Sequence, residues 1–420
     1  MAWMVDLAYL LAALITAPVW LTRMIRTGKI RTDWVGRLGG GAALAAPDRP
    51  RLLLHAVSVG EVNAIRLLVE ELAGRAEAPQ IVIASTTDTG YARAVRLFGD
   101  RHAVVRYPFD FSFAVVRFLR RVRPDVVALV ELEVWPNFTA ACARRRIPVG
   151  VINGRLTARS AARYRRIARL VKGSFRRLGF ACVQDDQYAR RFRELGVEPG
   201  RIEVTGTMKW DTAQIADRVD GADELARALG IDRKRPLVVA GSTAPDEHAL
   251  LCAAVPDGVQ LLCAPRKPEW FDQAAADMPD CARRSRGECG SAAGRFLLDT
   301  IGELRMAYSL ADVVVIGRSF GNLHGSDMME PIALGKPTIV GPAVSDFQAT
   351  VDALLAGDGI VQTDRDRLAG TVSALLEDPS RRARLAACGR AVIREHQGAT
   401  ARHADVLIQW LETASAEHTP

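Results

Sequence analysis

The feature that most constrains the fold is a repeated alternation of short apolar runs with segments of helix length. In the first half, strands are predicted at Leu52–Val57, Ile81–Ser85, Val104–Tyr107, Val126–Val130, Pro148–Ile152, Ala181–Gln184 and Ile202–Thr205. In the second half they are predicted at Leu237–Ala240, Val259–Cys263, Phe296–Leu298, Val313–Ile316 and Thr338–Val340. Apolar strands separated by helices are typical of parallel sheets covered on both faces. We therefore predict an α/β protein with two doubly wound, Rossmann-like domains facing a central cleft.

The length of the chain also favours two domains, because 420 residues exceed what one hydrophobic core usually organises. We predict a membrane anchor and basic flank (1–35), an acceptor-binding domain (36–210), a polar helical linker (211–236), a donor-binding domain (237–395) and a C-terminal helix and tail (396–420). The segment from Ser380 to Ala414 is predicted to be helical throughout.

The N-terminus carries an apolar run, Leu7–Leu21, followed by basic residues at Arg23, Arg26, Lys29 and Arg31. The run is shorter than the roughly 20 residues of a comfortable span. Its charges follow the apolar run, whereas a signal peptide carries them before it. Aromatic residues that suit a membrane interface are Trp3, Tyr9, Trp20 and Trp34. We predict a monotopic or marginally spanning anchor with a cytoplasmic basic flank; a buried first helix is the alternative.

The net charge of +8 suggests acidic partners, such as a nucleotide, a phosphorylated lipid or an anionic membrane, although arginine-rich composition alone is the simpler explanation. Nucleic acid is not expected, because the basic residues form no dominant block and aromatic residues make up only 6% of the chain. The 7 cysteines form no C-x-x-C pair, which argues for a reducing compartment and against disulfides or zinc.

Carboxylates mark the ends of two first-half strands. Glu61 follows a strand at a glycine turn that opens a helix, where it can act as a general base or only complement the helix dipole. Glu131 and Glu133 are predicted on one side of a strand end. They can position a substrate hydroxyl or form an ion pair with Arg155 and its neighbours.

A basic helical tract follows these carboxylates, with charged positions at Arg155, Arg159, Arg163, Arg165, Arg166, Arg169 and Lys172. It suits an anionic membrane or a phosphorylated acceptor, but a solvated helix face explains it equally well.

In the second half, four loops at predicted strand ends carry polar groups. Ser242 and Thr243 offer hydroxyls, Arg266 offers a guanidinium suited to phosphate, and Glu303 is available to a base or ribose. The fourth loop lies in Val313–Pro342, where a glycine-rich segment precedes a short helix. Glu330 at the first turn of that helix can accept hydrogen bonds from a ribose diol. Together the loops favour a nucleotide site, whereas a purely structural strand–helix–strand crossover is the alternative for the last loop.

The motifs HAVSVGEV, STTDTGYA, YPFDF, ELEVWPN, INGRLTARSAARY, GTMKWD, AGSTAPDE, APRKPEWF, DTIGEL and HGSDMMEP occur in this order. Their order and spacing resemble the 3-deoxy-D-manno-octulosonic acid (Kdo) transferases over most of the chain. The resemblance implies a GT-B fold and an inverting transfer of Kdo from CMP-Kdo to a lipid A precursor, lipid IVA. It also implies a monotopic protein at the cytoplasmic face of the inner membrane, with no cofactor and no bound metal.

The resemblance assigns roles motif by motif. Glu61 is the implied general base, Arg266 the donor-phosphate arginine and Glu330 the ribose-binding carboxylate. Predicted donor contacts are Ser242, Thr243, Arg266, Lys267, Glu303, Ser326, Asp327 and Glu330. Predicted acceptor contacts are Ser58, Gly60, Glu131, Glu133 and Arg155.

Two motifs depart from the family pattern. Ser326 and Asp327 stand where the family has His and Asn, and Lys267 stands where it has His. A carboxylate at 327 would repel a donor phosphate unless it is paired, and Lys267 is the predicted partner. A different nucleotide sugar, with a UDP or GDP donor, is therefore an alternative, and a nucleotide-sugar 2-epimerase on the same fold is another.

Overall fold

A computed structural model of the protein describes residues 2–26, 28 and 32–418, without the side chains at positions 2, 23, 169, 170, 417 and 418. Lys29 and Arg31 of the predicted basic flank therefore lie outside the described residues, as do the side chains of Arg23 and Arg169.

The chain forms two compact units, one made of Met1–Asp211 with Gln397–Pro420 and the other of Thr212–His396. The segment predicted as a linker, 211–236, thus belongs almost entirely to the second unit. The predicted C-terminal helix and tail belong to the first unit, apart from residue 396. Only one helix of eight residues forms within the segment predicted to be a helical linker.

The first unit contains a seven-stranded parallel sheet in the order β3-β2-β1-β4-β5-β6-β7. Its strands are β1 (Arg51–His55), β2 (Gln80–Ser85), β3 (Ala103–Arg106), β4 (Val126–Val130), β5 (Val149–Gly154), β6 (Phe180–Val183) and β7 (Ile202–Val204). Successive strands are added in one direction from β1 to β3 and in the other direction from β4 to β7. Ligands of doubly wound sheets bind at the carboxyl ends of the strands where the order changes, here β1 and β4.

The helices of this unit lie between the strands and before them. They are α1 (Ala2–Arg26), α2 (Trp34–Arg37), α3 (Val59–Ala64), α4 (Arg66–Ala73), α5 (Asp88–Phe98), α6 (Ser112–Val122), α7 (Pro136–Arg144), α8 (Ala158–Arg166), α9 (Ala168–Phe175) and α10 (Asp186–Glu194). The first helix is longer than the predicted run Leu7–Leu21. Its segment Trp3–Arg26 is long and apolar enough to cross a membrane. The helical segment that follows β1 is interrupted at Ile65, which divides it into α3 and α4.

Burial explains why the central strands read as continuous apolar runs. Successive side chains point to opposite faces, so Leu53 and Val127 pack in the core on one face, while Leu52 and Val126 pack on the other. All four are fully buried. Truncating such a residue to alanine typically costs about 2–5 kcal/mol, so the sheet provides a rigid support for the loops at its carboxyl edge.

The second unit repeats this plan with a parallel sheet in the order β10-β11-β9-β8-β12-β13-β14. The strands are β8 (Leu237–Thr243), β9 (Gln260–Pro265), β10 (Ala282–Arg283), β11 (Arg295–Leu297), β12 (Val313–Ile316), β13 (Thr338–Val340) and β14 (Val361–Gln362). Its helices are α11 (Ala222–Leu229), α12 (His248–Ala254), α13 (Phe271–Asp277), α14 (Leu304–Leu310), α15 (Met329–Ala333), α16 (Gln348–Ala356), α17 (Leu368–Glu377) and α18 (Pro379–His396). The two-residue strands β10 and β14 were not predicted, because two residues carry no periodicity.

The last helix, α19 (Ala399–His418), returns to the first unit. Its residues Leu407 and Leu411 are buried in the same core as Leu52. The helix predicted from Ser380 to Ala414 is therefore wrong as a single element: it is interrupted at Gly398, which has a φ of +90° and donates its N–H to Asp211 at 2.6 Å. Such a φ is accessible to glycine and ends a helix.

Candidate functional site

Glu61 lies in the first turn of α3, just beyond the carboxyl end of β1. The Ser58 side chain caps this helix by accepting the Glu61 N–H at 3.4 Å. In return, the Glu61 carboxylate accepts the Val57 N–H at 2.8 Å and the Ser58 hydroxyl at 2.9 Å. This arrangement is close to a capping box, so it fixes both the helix start and the carboxylate.

The surroundings of Glu61 favour its protonated form. Burial raises the pKa of Glu61 to about 7, the hydrogen bonds from Val57 and Ser58 oppose the rise, and the charges of Glu131 and Glu133 add to it. A carboxylate with a pKa near neutrality is suited to accept a proton at physiological pH. The Glu61 carboxyl group is therefore held in place by two hydrogen bonds, and its pKa lies near neutrality.

Glu131 and Glu133 follow β4 rather than continuing it, so the prediction that both lie on the strand end is wrong. Glu131 has a φ of +62°, which turns the chain out of the sheet. Glu133 accepts the Trp135 indole N–H at 2.8 Å, and burial raises its pKa. Within the part of the chain that the structure describes, neither carboxylate forms an ion pair, and exposed Arg155 only donates its backbone N–H to the Glu131 carbonyl.

The loop that supports Glu61 is held from β2 and α5, which the sequence did not indicate. The Val57 carbonyl accepts the Thr87 hydroxyl at 2.8 Å and the Thr87 N–H at 3.1 Å. A Cβ at Gly90 would lie 2.7 Å from that carbonyl and from the hydroxyls of Ser85 and Thr87. The motif STTDTGYA therefore serves to position the chain segment before Glu61. By contrast, a Cβ at Gly60 would make only an ordinary contact, at 3.7 Å from the Ser58 hydroxyl oxygen, so Gly60 remains a predicted acceptor contact only.

Other motif residues in this unit have internal roles. His55 is buried, stacks on Tyr107 at 3.5 Å between ring centroids, and has a pKa lowered to about 3 by burial, so it is neutral. Asp110 accepts the N–H groups of Asn137 and Phe138 at 2.9 and 2.7 Å. Two orphan donors at the start of α7 are thereby satisfied.

In the second unit, Ser242 at the end of β8 and Glu330 in the first turn of α15 line a pocket of about 210 Å³, together with Tyr308 and Asp327. Ser242 has a φ of +56°, which marks a tight turn at the strand end. Tyr308 is fully buried and hydrogen-bonds to Ser242. The predicted donor residues Ser242, Asp327 and Glu330 thus lie together.

Glu330 forms an ion pair with Arg305 at 3.5 Å, a partner that the sequence did not indicate. Burial raises the pKa of Glu330, Arg305 opposes the rise, and the charge of Asp327 adds to it. Asp327 itself accepts the Met329 N–H at 2.9 Å. The carboxylate at 330 is half-exposed, so it can exchange its ion pair for a ligand.

Arg266 and Lys267 follow β9 and are both exposed. The predicted pairing of Lys267 with Asp327 is replaced by another: the Lys267 ammonium lies 3.3 Å from Glu269 and 4.9 Å from the Trp270 ring centroid. Arg266 has no such ion pair among the described residues. Burial raises the pKa of Tyr308 in the pocket, and the charge of Arg266 opposes this rise. The Arg266 guanidinium remains available to a phosphate.

Three further predicted donor residues are placed differently from the pocket group. Thr243 is buried, with its hydroxyl 3.0 Å from His248 Nε2. Glu303 forms an ion pair with Arg284 at 2.9 Å and also binds Thr300; burial raises its pKa, but these bonds outweigh burial and lower it. Ser326 is nearly buried, and its hydroxyl has no hydrogen-bond partner among the described residues.

No group of three histidine, cysteine or acidic residues that could hold a metal occurs in the described ranges 2–26, 28 and 32–418. The basic positions of α8 (Arg159, Arg163, Arg165 and Arg166) are exposed.

Comparison with known proteins gives concordant results for the sequence. The family model of 3-deoxy-D-manno-octulosonic-acid transferase (kdotransferase) matches residues 32–212. A 3-deoxy-D-manno-octulosonic acid transferase of Bordetella pertussis is 33% identical over 96% of this chain and 99% of its own length. One of Haemophilus influenzae is 30% identical over 92% of this chain and 93% of its own.

A solved structure of Anabaena HepE in complex with UDP and glucose shares the fold, with a TM-score of 0.54 at 14% identity. It covers 86% of this chain and 100% of its own. The likeness to it, together with the two parallel seven-stranded sheets, identifies the GT-B fold predicted from the sequence.

Proposed function

Because this chain belongs to the Kdo transferase family of glycosyltransferases, which acts in lipopolysaccharide core biosynthesis, we propose that it transfers Kdo from CMP-Kdo to lipid IVA with inversion, with Glu61 as general base. The observation that carries the assignment of the base is the position of Glu61 in the first turn of α3, with a pKa of about 7. A carboxyl group with a pKa near neutrality can take up and release a proton at physiological pH.

In the proposed reaction, the acceptor hydroxyl attacks the anomeric carbon of Kdo opposite the CMP phosphate. The new C–O bond forms while the bond from that carbon to the phosphate oxygen breaks, and CMP leaves with the electron pair. Glu61 accepts the hydroxyl proton and then releases it to solvent. The N–H of Val57 and the hydroxyl of Ser58 keep the carboxylate oriented.

The second unit is proposed to hold the nucleotide. Glu330 would accept hydrogen bonds from the ribose diol in place of its ion pair with Arg305. The exposed guanidinium of Arg266 would bind the donor phosphate and stabilise the charge that grows as CMP leaves. Because Thr243 and Glu303 are occupied by internal partners, Ser242, Arg266 and Glu330 carry this proposal.

A different nucleotide sugar is the second candidate, because Asp327 stands where the family has Asn. Asp327 lies in the pocket with Glu330 and raises its pKa, so the pocket holds two acidic groups near the place of an anionic ligand. Calorimetry with CMP, UDP and GDP decides between the candidates. A preference for CMP supports the Kdo donor, and a preference for UDP or GDP overturns the donor while leaving the fold unchanged.

Association with the cytoplasmic face of the inner membrane is also proposed. The helix Trp3–Arg26 is long and apolar enough to cross a bilayer, and the exposed arginines of α8 suit an anionic surface. Flotation of the full chain with vesicles, with and without anionic lipid, tests this part. Binding that does not depend on anionic lipid would remove the basic helix from the proposal.

A further inference from the structure

A cavity of about 710 Å³ lies in the first unit, between α1 and the loops that follow β2, β3 and β4. One wall is a face of α1 made of Tyr9, Ala13, Trp20 and Met24. Met24 follows Tyr9 by 15 residues, so this wall runs about 22 Å along the helix. The volume and the elongated wall suit a ligand of small-molecule size that is long and narrow.

The other walls are rich in aromatic side chains. Phe109 and Phe111 come from the loop after β3, Trp135 from the segment before α7, and Trp34 from α2. Trp34, Phe109 and Trp135 keep 39%, 36% and 41% of their surface exposed. Large apolar side chains left exposed around a cavity mark a place where an apolar ligand or surface binds.

The opposite face of α1 is apolar as well. Leu10, Leu14, Ile15 and Val19 are exposed, by 51% to 78%. The helix therefore presents an apolar surface on both sides. An apolar outer face suits contact with a bilayer, which would place the cavity next to the hydrocarbon chains of lipids.

Polar groups in the lining indicate which kind of molecule would carry the hydrocarbon chain. Glu133 lines the cavity, and its charge acts on Glu61. Arg37 also lines it and shares the carboxylate of Asp88 with Arg106, so two guanidiniums face one carboxylate there. A ligand with a hydrocarbon chain, an anionic group and a hydroxyl that reaches Glu61 matches these features together.

We propose that this cavity holds a hydrocarbon chain of the phosphorylated lipid acceptor and thereby sets which acceptor chain lengths are used. The inference rests on the proposed function, since Glu133 lines the cavity and its charge acts on Glu61, the carboxylate assigned as base. A bulk membrane lipid explains the apolar walls but not the carboxylate and the guanidinium of Arg37 in the lining.

The first test fills the cavity. In Ala13→Trp an indole enters from α1, whereas Ala12→Trp places the same side chain on the exposed neighbouring position. Binding of a tetraacylated disaccharide bisphosphate is measured by native mass spectrometry in detergent without donor, and transfer is measured with the same acceptor and with its fully deacylated form, from which both ester-linked and amide-linked chains are removed. Each methylene displaced from the cavity should weaken binding about fourfold.

The expected result is weaker binding and a higher KM in Ala13→Trp for the acylated acceptor only, with Ala12→Trp like the wild type. Equal behaviour of the two variants overturns the inference. Equal loss with the deacylated acceptor overturns it too, because the effect would then not involve the chain. If no protein transfers Kdo but Ala13→Trp still binds the acylated probe less well, the cavity inference stands and the proposed function falls.

A second variant gives a change of specificity, which misfolding cannot produce. Met24→Ala lengthens the cavity and should move the optimum of an acyl-chain series to longer chains. An unchanged optimum overturns the inference.

Discussion

Ser58 and Glu61 bind each other in both directions: the Ser58 hydroxyl donates to the Glu61 carboxylate at 2.9 Å, and the Glu61 N–H donates to the Ser58 oxygen at 3.4 Å. The same two side chains that begin α3 therefore also fix the proposed base. A structural role and the proposed catalytic role coincide at Glu61, so substitutions there must separate the two.

Replacing Glu61 by glutamine separates them. Glutamine retains an oxygen that can accept the Val57 N–H, but it cannot take up the acceptor proton. We expect Glu61→Gln to lower kcat by about 10²–10⁴-fold with a melting temperature close to that of the wild type. Glu61→Ala should lose the same activity and also about 1 kcal/mol of stability. CMP binding by calorimetry is the control, and a loss of CMP affinity in Glu61→Gln would show that the role of Glu61 is misassigned.

The pH dependence of transfer should report the pKa of Glu61. The base acts only when deprotonated, so kcat/KM should fall as pH drops through about 7. The charge of Glu133 raises that pKa, so Glu133→Gln should move the acidic limb of the profile to lower pH. The exposed Glu203→Gln changes the net charge equally and should leave the limb in place. A limb that does not move in Glu133→Gln contradicts the arrangement of carboxylates.

Asp327 should weaken nucleotide binding in the second unit. Asparagine at this position can still accept the Met329 N–H, but it removes the charge that raises the pKa of Glu330. We expect Asp327→Asn to tighten CMP binding about two- to tenfold. The gain should be larger at lower pH, because Glu330 in the variant stays ionised to a lower pH than in the wild type. The exposed Asp346→Asn serves as the matched control. Weaker binding in Asp327→Asn would mean that this carboxylate contacts the ligand directly.

Asp110 should contribute to stability through α7. Asp110→Ala leaves the N–H groups of Asn137 and Phe138 without their acceptor, which should cost about 1–3 kcal/mol. Asp185 caps α10 in an exposed position, where water replaces a lost acceptor, so Asp185→Ala should cost about 1 kcal/mol or less. Thermal unfolding of both variants in detergent compares them. Equal losses would show that burial does not govern the cap at Asp110.

Most strands of both sheets could be predicted from the sequence, because they are largely apolar runs bounded by polar segments, whereas the two-residue strands β10 and β14 could not. The directions in which Glu131 and Glu133 point after β4 could not be predicted. Glu131 leaves the strand because its φ is positive, and no residue type at that position announces it. The pairing of Lys267 with Glu269, and of Glu330 with Arg305, likewise depends on distances that the order of residues does not contain.

The residues that support the loop before Glu61 and the start of α7 could not be predicted from the sequence either. Thr87 and Gly90 lie in a motif that was noted but given no role, and their contact with the Val57 carbonyl becomes visible only when β1 and β2 are adjacent. Asp110 caps a helix that begins 26 residues later, so no local capping pattern indicates it.

The return of α19 to the first unit has a consequence for synthesis of the chain. Residues 212–396 are an insertion within the first unit, so the ribosome completes the second unit before it has made the helix that covers part of the first. At about 5–20 residues per second, the sheet core around Leu52 waits at least ten seconds after residue 211 with its α19 face uncovered. The first unit therefore begins to be synthesised first but can complete its core only after the second unit has been made.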